Sequence, residues 1–154
     1  MTPAVSDVEL VLRLLLAALL GATIGFEREL RQKSAGLRTN TLIGLGAALF
    51  TLMSIELAHG EPGADPTRIA AQIVTGIGFL GAGAIMRTGA SVHGLTTAAT
   101  VWVNAAVGVA AGGGRYVLAI TATGITLVAL LALTRLENLI ARRKPPQAPD
   151  SLGG

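Results

Sequence analysis

Tyr116-Val-Leu-Ala-Ile-Thr-Ala-Thr-Gly-Ile-Thr-Leu-Val-Ala-Leu-Leu-Ala-Leu-Thr134 carries no charged side chain over its whole length. Wound as a helix at 1.5 Å per residue it is roughly 28 Å long, close to the ~30 Å hydrocarbon thickness of a bilayer. A helix on a water-soluble surface needs one polar face, and this run has none. Working outward, four more apolar runs occupy residues 8–26, 39–58, 69–86 and 95–111. The fold expected is all-α and integral to the membrane: about five transmembrane helices in a compact, glycine-rich bundle. The fourth run is the shortest, and a partly re-entrant path together with the Gly- and Thr-containing stretch before it stays open.

Composition agrees. Hydrophobic residues make up 51% of the 154, and charged residues 14%. A soluble domain carries about a quarter charged residues. Mean hydropathy is +0.63. The 20 glycines suit helices that must approach closely in lipid. The net charge of +3 does not indicate nucleic acid, because aromatic residues are only 3% and the cations flank apolar runs. There is no cysteine, which excludes disulfides, thiolate metal sites and cysteine nucleophiles.

The loops set the orientation. Arg28, Arg31, Lys33, Arg38, Arg87, Arg135, Arg142, Arg143 and Lys144 fall on one side, and Arg13, Arg68 and Arg115 on the other. Lysine and arginine mark the cytoplasmic face. Five crossings put both basic clusters inside, the amino end outside and the carboxyl end in the cytoplasm. The acidic amino end is unlike a secretory signal, so the first run is read as a retained helix. Residues 1–144 are taken as the membrane domain and 145–154, rich in proline, as a disordered cytoplasmic tail. No clear internal repeat supports the inverted-repeat plan of many transporters.

Gly76-Ile-Gly78-Phe-Leu-Gly81 has dinucleotide-loop spacing, but it lies inside an apolar run. No Asp or Glu follows Asp65 before Glu137, so the ribose-binding acid is missing. Close helix packing through Gly76, Gly78, Gly81, Ala82 and Gly83 is the preferred reading, as it is for the Gly21-Ala-Thr-Ile-Gly25 face. The acid-free stretch also withholds paired carboxylates, and His59 and His93 are separated by topology. No catalytic residue, metal site or cofactor is expected.

One polar cluster does emerge. With five crossings, Glu27, Arg28, Arg38, Thr39, Arg87, Thr96 and Thr97 gather where four helix ends meet at the cytoplasmic mouth. Glu27–Arg31 and Glu29–Lys33 have the favourable i,i+4 order on a helix. Glu27, directly after Phe26, needs a partner that Arg38 or Arg87 could supply. A structural ion pair and a functional role stand equally open for it. Thr96 and Thr97 could simply cap the fourth helix. Deeper, Gln72, Thr75, Thr100 and Asn104 are intramembrane polar residues, with Thr100 and Asn104 on one face. Bonding across helices is their ordinary role, and lining a ligand pathway the alternative.

The runs Gly25-Phe-Glu-Arg28, Ala35-Gly-Leu-Arg-Thr39, Ala71-Gln-Ile-Val-Thr-Gly-Ile-Gly-Phe-Leu-Gly-Ala-Gly-Ala-Ile85 and Gly94-Leu-Thr-Thr-Ala-Ala-Thr-Val-Trp102 resemble the MgtC/SapB family of bacterial inner-membrane proteins. The resemblance covers about residues 10–135. It implies a compact helical membrane domain and a part in growth or survival under magnesium limitation, in some pathogens inside macrophages. It also implies modulation of membrane partners, among which the proton-driven ATP synthase has been proposed. Many members continue into a soluble carboxyl-terminal domain, which is not expected in a chain ending about twenty residues after its fifth run. Some members have Asn where Thr96 stands here.

The expected function is therefore non-enzymatic: adaptation to low magnesium or stress by modulating a membrane partner. The alternative is a channel or carrier for magnesium or protons. Expected partners are membrane lipids, a membrane protein and a second copy of the chain, a dimer being the simplest oligomer. A scaffold that oligomerises through Gly21 and Gly25 is a third possibility. Nucleic acid is not a partner.

Overall fold

The structure, a computed structural model, describes residues 4–143. The tail expected over 145–154 lies outside the described residues. Five helices and a small hairpin follow in order: α1 (Asp7–Leu30), α2 (Leu37–Ala58), α3 (Arg68–Gly83), β1 (Met86–Thr88), β2 (Ser91–His93), α4 (Leu95–Gly112) and α5 (Tyr116–Arg143). Four of these helices, α1, α2, α4 and α5, are long and apolar enough to cross a membrane. At 16 residues α3 is the short one, rising only about 24 Å. The fourth run, for which a re-entrant path stood open, is instead a continuous 18-residue helix.

The third run, expected as helix over 69–86, stops at Gly83 because a hairpin begins. Thr88 pairs with Ser91, leaving Gly89-Ala90 as a two-residue turn with φ +62° at Gly89. Glycine first in a two-residue hairpin turn is the type II′ preference. Gly94 then enters α4 with φ +88°, and a side chain there would collide with the backbone oxygen of Ala84. Met86 and Arg87 therefore lie on an extended ribbon outside the helix.

Helix ends are built from local chemistry. Ser6 Oγ accepts the N–H of Glu9, while Asp7 and Glu9 complement the positive end of α1. At its other end Gln32 takes φ +54°, the Lys33 N–H donates to Arg28 O at 3.0 Å and the Gln32 N–H to Glu29 O at 2.9 Å. This is a Schellman turn without its usual glycine. The tight reversal sends α2 back along α1. Gly36 has no side chain to cap α2, so the Glu29 carboxylate accepts the Leu37 N–H at 3.0 Å instead.

Small residues then decide the packing. A Cβ on Gly21 would lie 2.5 Å from Asn40 O, and one on Gly25 2.8 Å from Leu37 Cα. Where α2 meets α4, a Cβ on Gly112 would lie 2.6 Å from Ala48 O, and one on Gly108 would strike Gly44 O. Helix α2 thus packs at backbone-contact distance against α1, running antiparallel, and α4, running parallel, and these two also touch each other. Such approach is how helices gain packing energy in lipid, where the hydrophobic effect does not drive them together. Helix α4 touches all four other helices and is the centre of the bundle. Outward faces are apolar: Phe79 and Val117 are each 81% exposed, as befits surfaces that meet acyl chains and not water.

Replacing Gly112 with valine should lower thermal stability in detergent by about 1–3 kcal/mol through overpacking against Ala48. Gly124, which has nothing within 4 Å of an added Cβ, should accept valine without loss. Equal melting of the two variants would contradict the seam.

Candidate functional site

Antiparallel α1 and α2, with α4 parallel to α2, bring the end of α1, the start of α2 and the start of α4 to one end of the bundle. Glu27 and Arg28 there are 7% and 3% exposed, the most deeply buried charged residues described. Glu27 pairs with Arg31 one turn on, and Arg28 Nη1 lies 3.5 Å from Glu27 Oε2. These contacts are ionic and not well aligned as hydrogen bonds. Neither carboxylate oxygen accepts an aligned hydrogen bond, and Arg28 Nε has no acceptor among the described residues. Buried charge with incomplete hydrogen bonding is costly, by several kcal/mol per ion in general. The partner of Glu27 is therefore on its own helix, and is neither Arg38 nor Arg87.

Those two arginines lie elsewhere. Arg38 and Thr39 are exposed and line an apolar groove of about 640 Å³ between α2 and α3. Arg87 is on the exposed hairpin, its Nε donating to Gly89 O at 3.1 Å. Thr96 and Thr97 do join Arg28: all three line a cavity of about 930 Å³ bounded by α1, α4, α5 and the hairpin. Neither threonine caps α4, whose N-cap is Gly94 with no side-chain bond. The seven residues expected at one mouth thus share a level of the bundle but divide. Arg38 and Thr39 line one groove, Arg28, Thr96 and Thr97 the other, Arg87 is on the hairpin, and Glu27 is buried and lines neither. Helix α4 contributes to both grooves.

The intramembrane polar residues divide as well. Asn104 is fully buried, and its Nδ2 donates across to Asn40 O at 2.6 Å and to Asn40 Oδ1 at 3.1 Å. Asn40, also fully buried, donates in turn to Ala35 O at 2.6 Å and Gly36 O at 3.0 Å. Thr100 bonds only within its helix, to Thr96 O, and Gln72 and Thr75 are exposed on α3. Gly21 and Gly25 lie against α2, so neither is available to a second copy of the chain. On α3 only Gly81 meets a neighbour, Ala98; Gly76, Gly78 and Gly83 have nothing within 4 Å. Close packing expected at those three glycines is absent within the chain, because a 16-residue helix at the periphery touches α2 and α4 with its other face.

The opposite end of the bundle is structural. Arg13 donates to Gly112 O at 2.8 Å and to Glu9 Oε1, which also accepts from Tyr116 Oη at 3.2 Å. The guanidinium closes the carbonyl end of α4, where a cation is favourable. Glu56 accepts the backbone N–H groups of Ala4 and Val5 at 3.2 and 2.9 Å. Among the described residues no three His, Asp or Glu side chains group closely enough to hold a metal ion.

Asn40 was not singled out from the sequence, although it directly follows the Ala35-Gly-Leu-Arg-Thr39 run and lies at membrane depth. Gly108-Val-Ala-Ala-Gly112 carries the same G-x-x-x-G spacing as Gly21–Gly25 and was equally legible.

This arrangement falls within a known family. The family model described as MgtC matches residues 14–139. The chain belongs to the MgtC family. It is 55% identical over 130 residues to the protein MgtC of Salmonella typhimurium, which covers 84% of this chain and 54% of that protein. It is 50% identical over 132 residues to protein slr0014 of Synechocystis, covering 86% of the chain and 55% of the relative. A match at 49% identity over 129 residues to YhiD of Escherichia coli covers 79% and 59%. The chain therefore spans a little over half the length of the curated relatives it matches. No solved structure matches it. Membership and the apolar helices together make this a multi-pass membrane protein.

The Asn40–Asn104 contact can be measured directly. A double-mutant cycle with Asn40→Ala and Asn104→Ala should give a coupling of about 1 kcal/mol in thermal unfolding, within the range of interhelical bonds in membranes. Additive losses would contradict the bond to Asn40 Oδ1, the bond to the Asn40 backbone oxygen being kept in Asn40→Ala.

Proposed function

We propose that this chain is a non-enzymatic inner-membrane protein that supports growth under magnesium limitation by modulating a membrane partner. Its basic end faces the cytoplasm, in keeping with the positive-inside bias, and is its working surface. The observation that carries the reading is the buried Glu27–Arg28–Arg31 cluster. Apolar side chains would stabilise a bundle there at least as well, and a buried ion pair with unmet hydrogen bonds is weak as a stability device. Ionisable groups at such positions in membrane proteins are candidates for function. Family membership supports the magnesium context, since the Salmonella relative bears the family's name and the Escherichia coli relative is named as a candidate magnesium transporter.

That second name favours a cation channel or carrier as the rival. The chain's own polar residues give it less support. Gln72 and Thr75 lie on exposed α3 surface, Thr100 lines the α4–α5 cavity, and Asn104 is buried with its Nδ2 donating to Asn40. They do not follow one path. Magnesium also prefers carboxylate oxygens, and α3, α4 and the apolar run of α5 contain none.

Growth complementation in low magnesium tests the proposal. Glu27→Gln should abolish rescue while the protein remains in the membrane fraction, and Arg38→Gln, altering the other groove, should rescue fully. Full rescue by Glu27→Gln would remove the cluster from the mechanism. Magnesium or proton flux by the purified chain in liposomes would replace modulation with transport.

A further inference from the structure

The cavity beside Arg28 has a polar end and an apolar end, and its polar end is built for an anion. Arg28 is 3% exposed, lines the cavity, and has a guanidinium N–H with no acceptor among the described residues. Arg31 and Lys33 stand on the same wall. Against the three cations stand two carboxylates, Glu27, paired with Arg28 and Arg31, and Glu29, engaged by the Leu37 N–H, so the cluster keeps a surplus of one positive charge. Facing them is the amino end of α4, an 18-residue helix whose N-cap is a glycine without a capping side chain. Ala98 is the first residue whose N–H is taken, by Gly94 O. The N–H groups of Leu95, Thr96 and Thr97 are thus left for another acceptor, at the positive end of the helix dipole. The Thr96 and Thr97 hydroxyl groups are not taken up as caps. Buried guanidinium, surface cations and helix amino end meet on one space of about 930 Å³.

The same space continues between α4 and α5 along Val103, Ile125, Ala129 and Leu133. A free phosphate has no use for that extension, whereas an acyl chain does. We propose that this cavity binds an anionic phospholipid, its phosphoryl oxygens held by Arg28, Arg31, Lys33 and the first turn of α4, with an acyl chain in the α4–α5 groove. The bound headgroup adds acceptors to a cluster in which Arg28 Nε has none among the described residues. Arginine is well suited to this, since its fork of donors matches phosphate oxygens. The inference stands independently of the partner-modulating role, because it concerns what the cluster binds and not what the cluster does in growth.

Native mass spectrometry of the full chain in detergent provides the test, using phosphatidylglycerol, phosphatidylcholine and inorganic phosphate as probes. Phosphatidylglycerol should be retained about tenfold better than phosphatidylcholine, as expected for charge-assisted recognition. Arg28→Gln should erase that preference. Because a buried substitution can fail to fold, two exposed positions give independent readings. Lys33→Glu should weaken retention several-fold at the headgroup end, by roughly the effect of one phosphate contact. Ile125→Trp, which fills the groove, should release the lipid while the helices stay folded by circular dichroism. No preference in the unaltered chain, or a preference untouched by Lys33→Glu, would overturn the proposal. Binding of inorganic phosphate that matches phosphatidylglycerol and ignores Ile125→Trp would assign the site to a free anion, overturning the lipid.

Discussion

Asn104 reaches from the middle of α4 to both oxygens of Asn40, and the two helices can meet there because the flanking contact residues are glycine and alanine. Everything else in the bundle is placed by that parallel seam. Gly44, Ala47 and Ala48 on α2 face Gly108 and Gly112 on α4, while Gly21 and Gly25 fix α1 against α2. In lipid there is little hydrophobic reward for burying one leucine against another, so close backbone approach and interhelical amide bonds must supply the association energy. An amide pair also specifies register. Sliding α4 by one turn would leave the Asn104 amide without partners and Asn40 Oδ1 without its donor, at a cost on the order of 1–3 kcal/mol for each lost partner.

The register has a chemical consequence at the basic end. It brings the open amino end of α4 level with the last turn of α1, where Glu27 and Arg28 are buried. Arg28 consequently faces helix N–H groups, which only donate, and threonine hydroxyls, with Glu27 its one paired carboxylate. A cluster so short of acceptors calls for an anion, and this shortage, more than the mere presence of charge, separates the site from an ordinary surface ion pair. The Arg13–Glu9–Tyr116 group at the other end shows the contrast. There the guanidinium finds both a carboxylate and a helix carbonyl, and the result is a cap.

Much of the fold was legible in the sequence because lipid imposes simple demands. Apolar runs of near-bilayer length read directly as helices, even with Arg13 in the first and Glu56 in the second, and α1, α2, α4 and α5 follow them. The end of α3 was not legible by that route, since Ile85 and Met86 are apolar and continue the hydropathy signal. The turn chemistry of Gly89-Ala90, which is local and overrides it, marks the break. At the site, helix order alone brought the right residues to one level, but level is not contact. Arg38 and Arg28 are both near the mouth, yet they line different grooves. Azimuth around a helix depends on packing, and here packing depends on which glycines are covered. Gly21 and Gly25 are covered, whereas Gly76, Gly78 and Gly83 are not, and spacing alone does not distinguish them.

The absence of native cysteine makes the seam itself measurable. A Cβ built on Gly113, just past the end of α4, lies 4.0 Å from Thr51 Cγ2 and meets no α2 backbone, so paired cysteines there fall near the ~3.5–4.5 Å Cβ separation of a disulfide. Thr51→Cys with Gly113→Cys, oxidised in native membranes and then denatured, should resist labelling by a maleimide reagent at both thiols. Thr51→Cys with Thr100→Cys, several turns away, should label fully. Protection of the second pair with free labelling of the first would mean a different α2–α4 register, and the alignment of Arg28 with the amino end of α4 would fall with it.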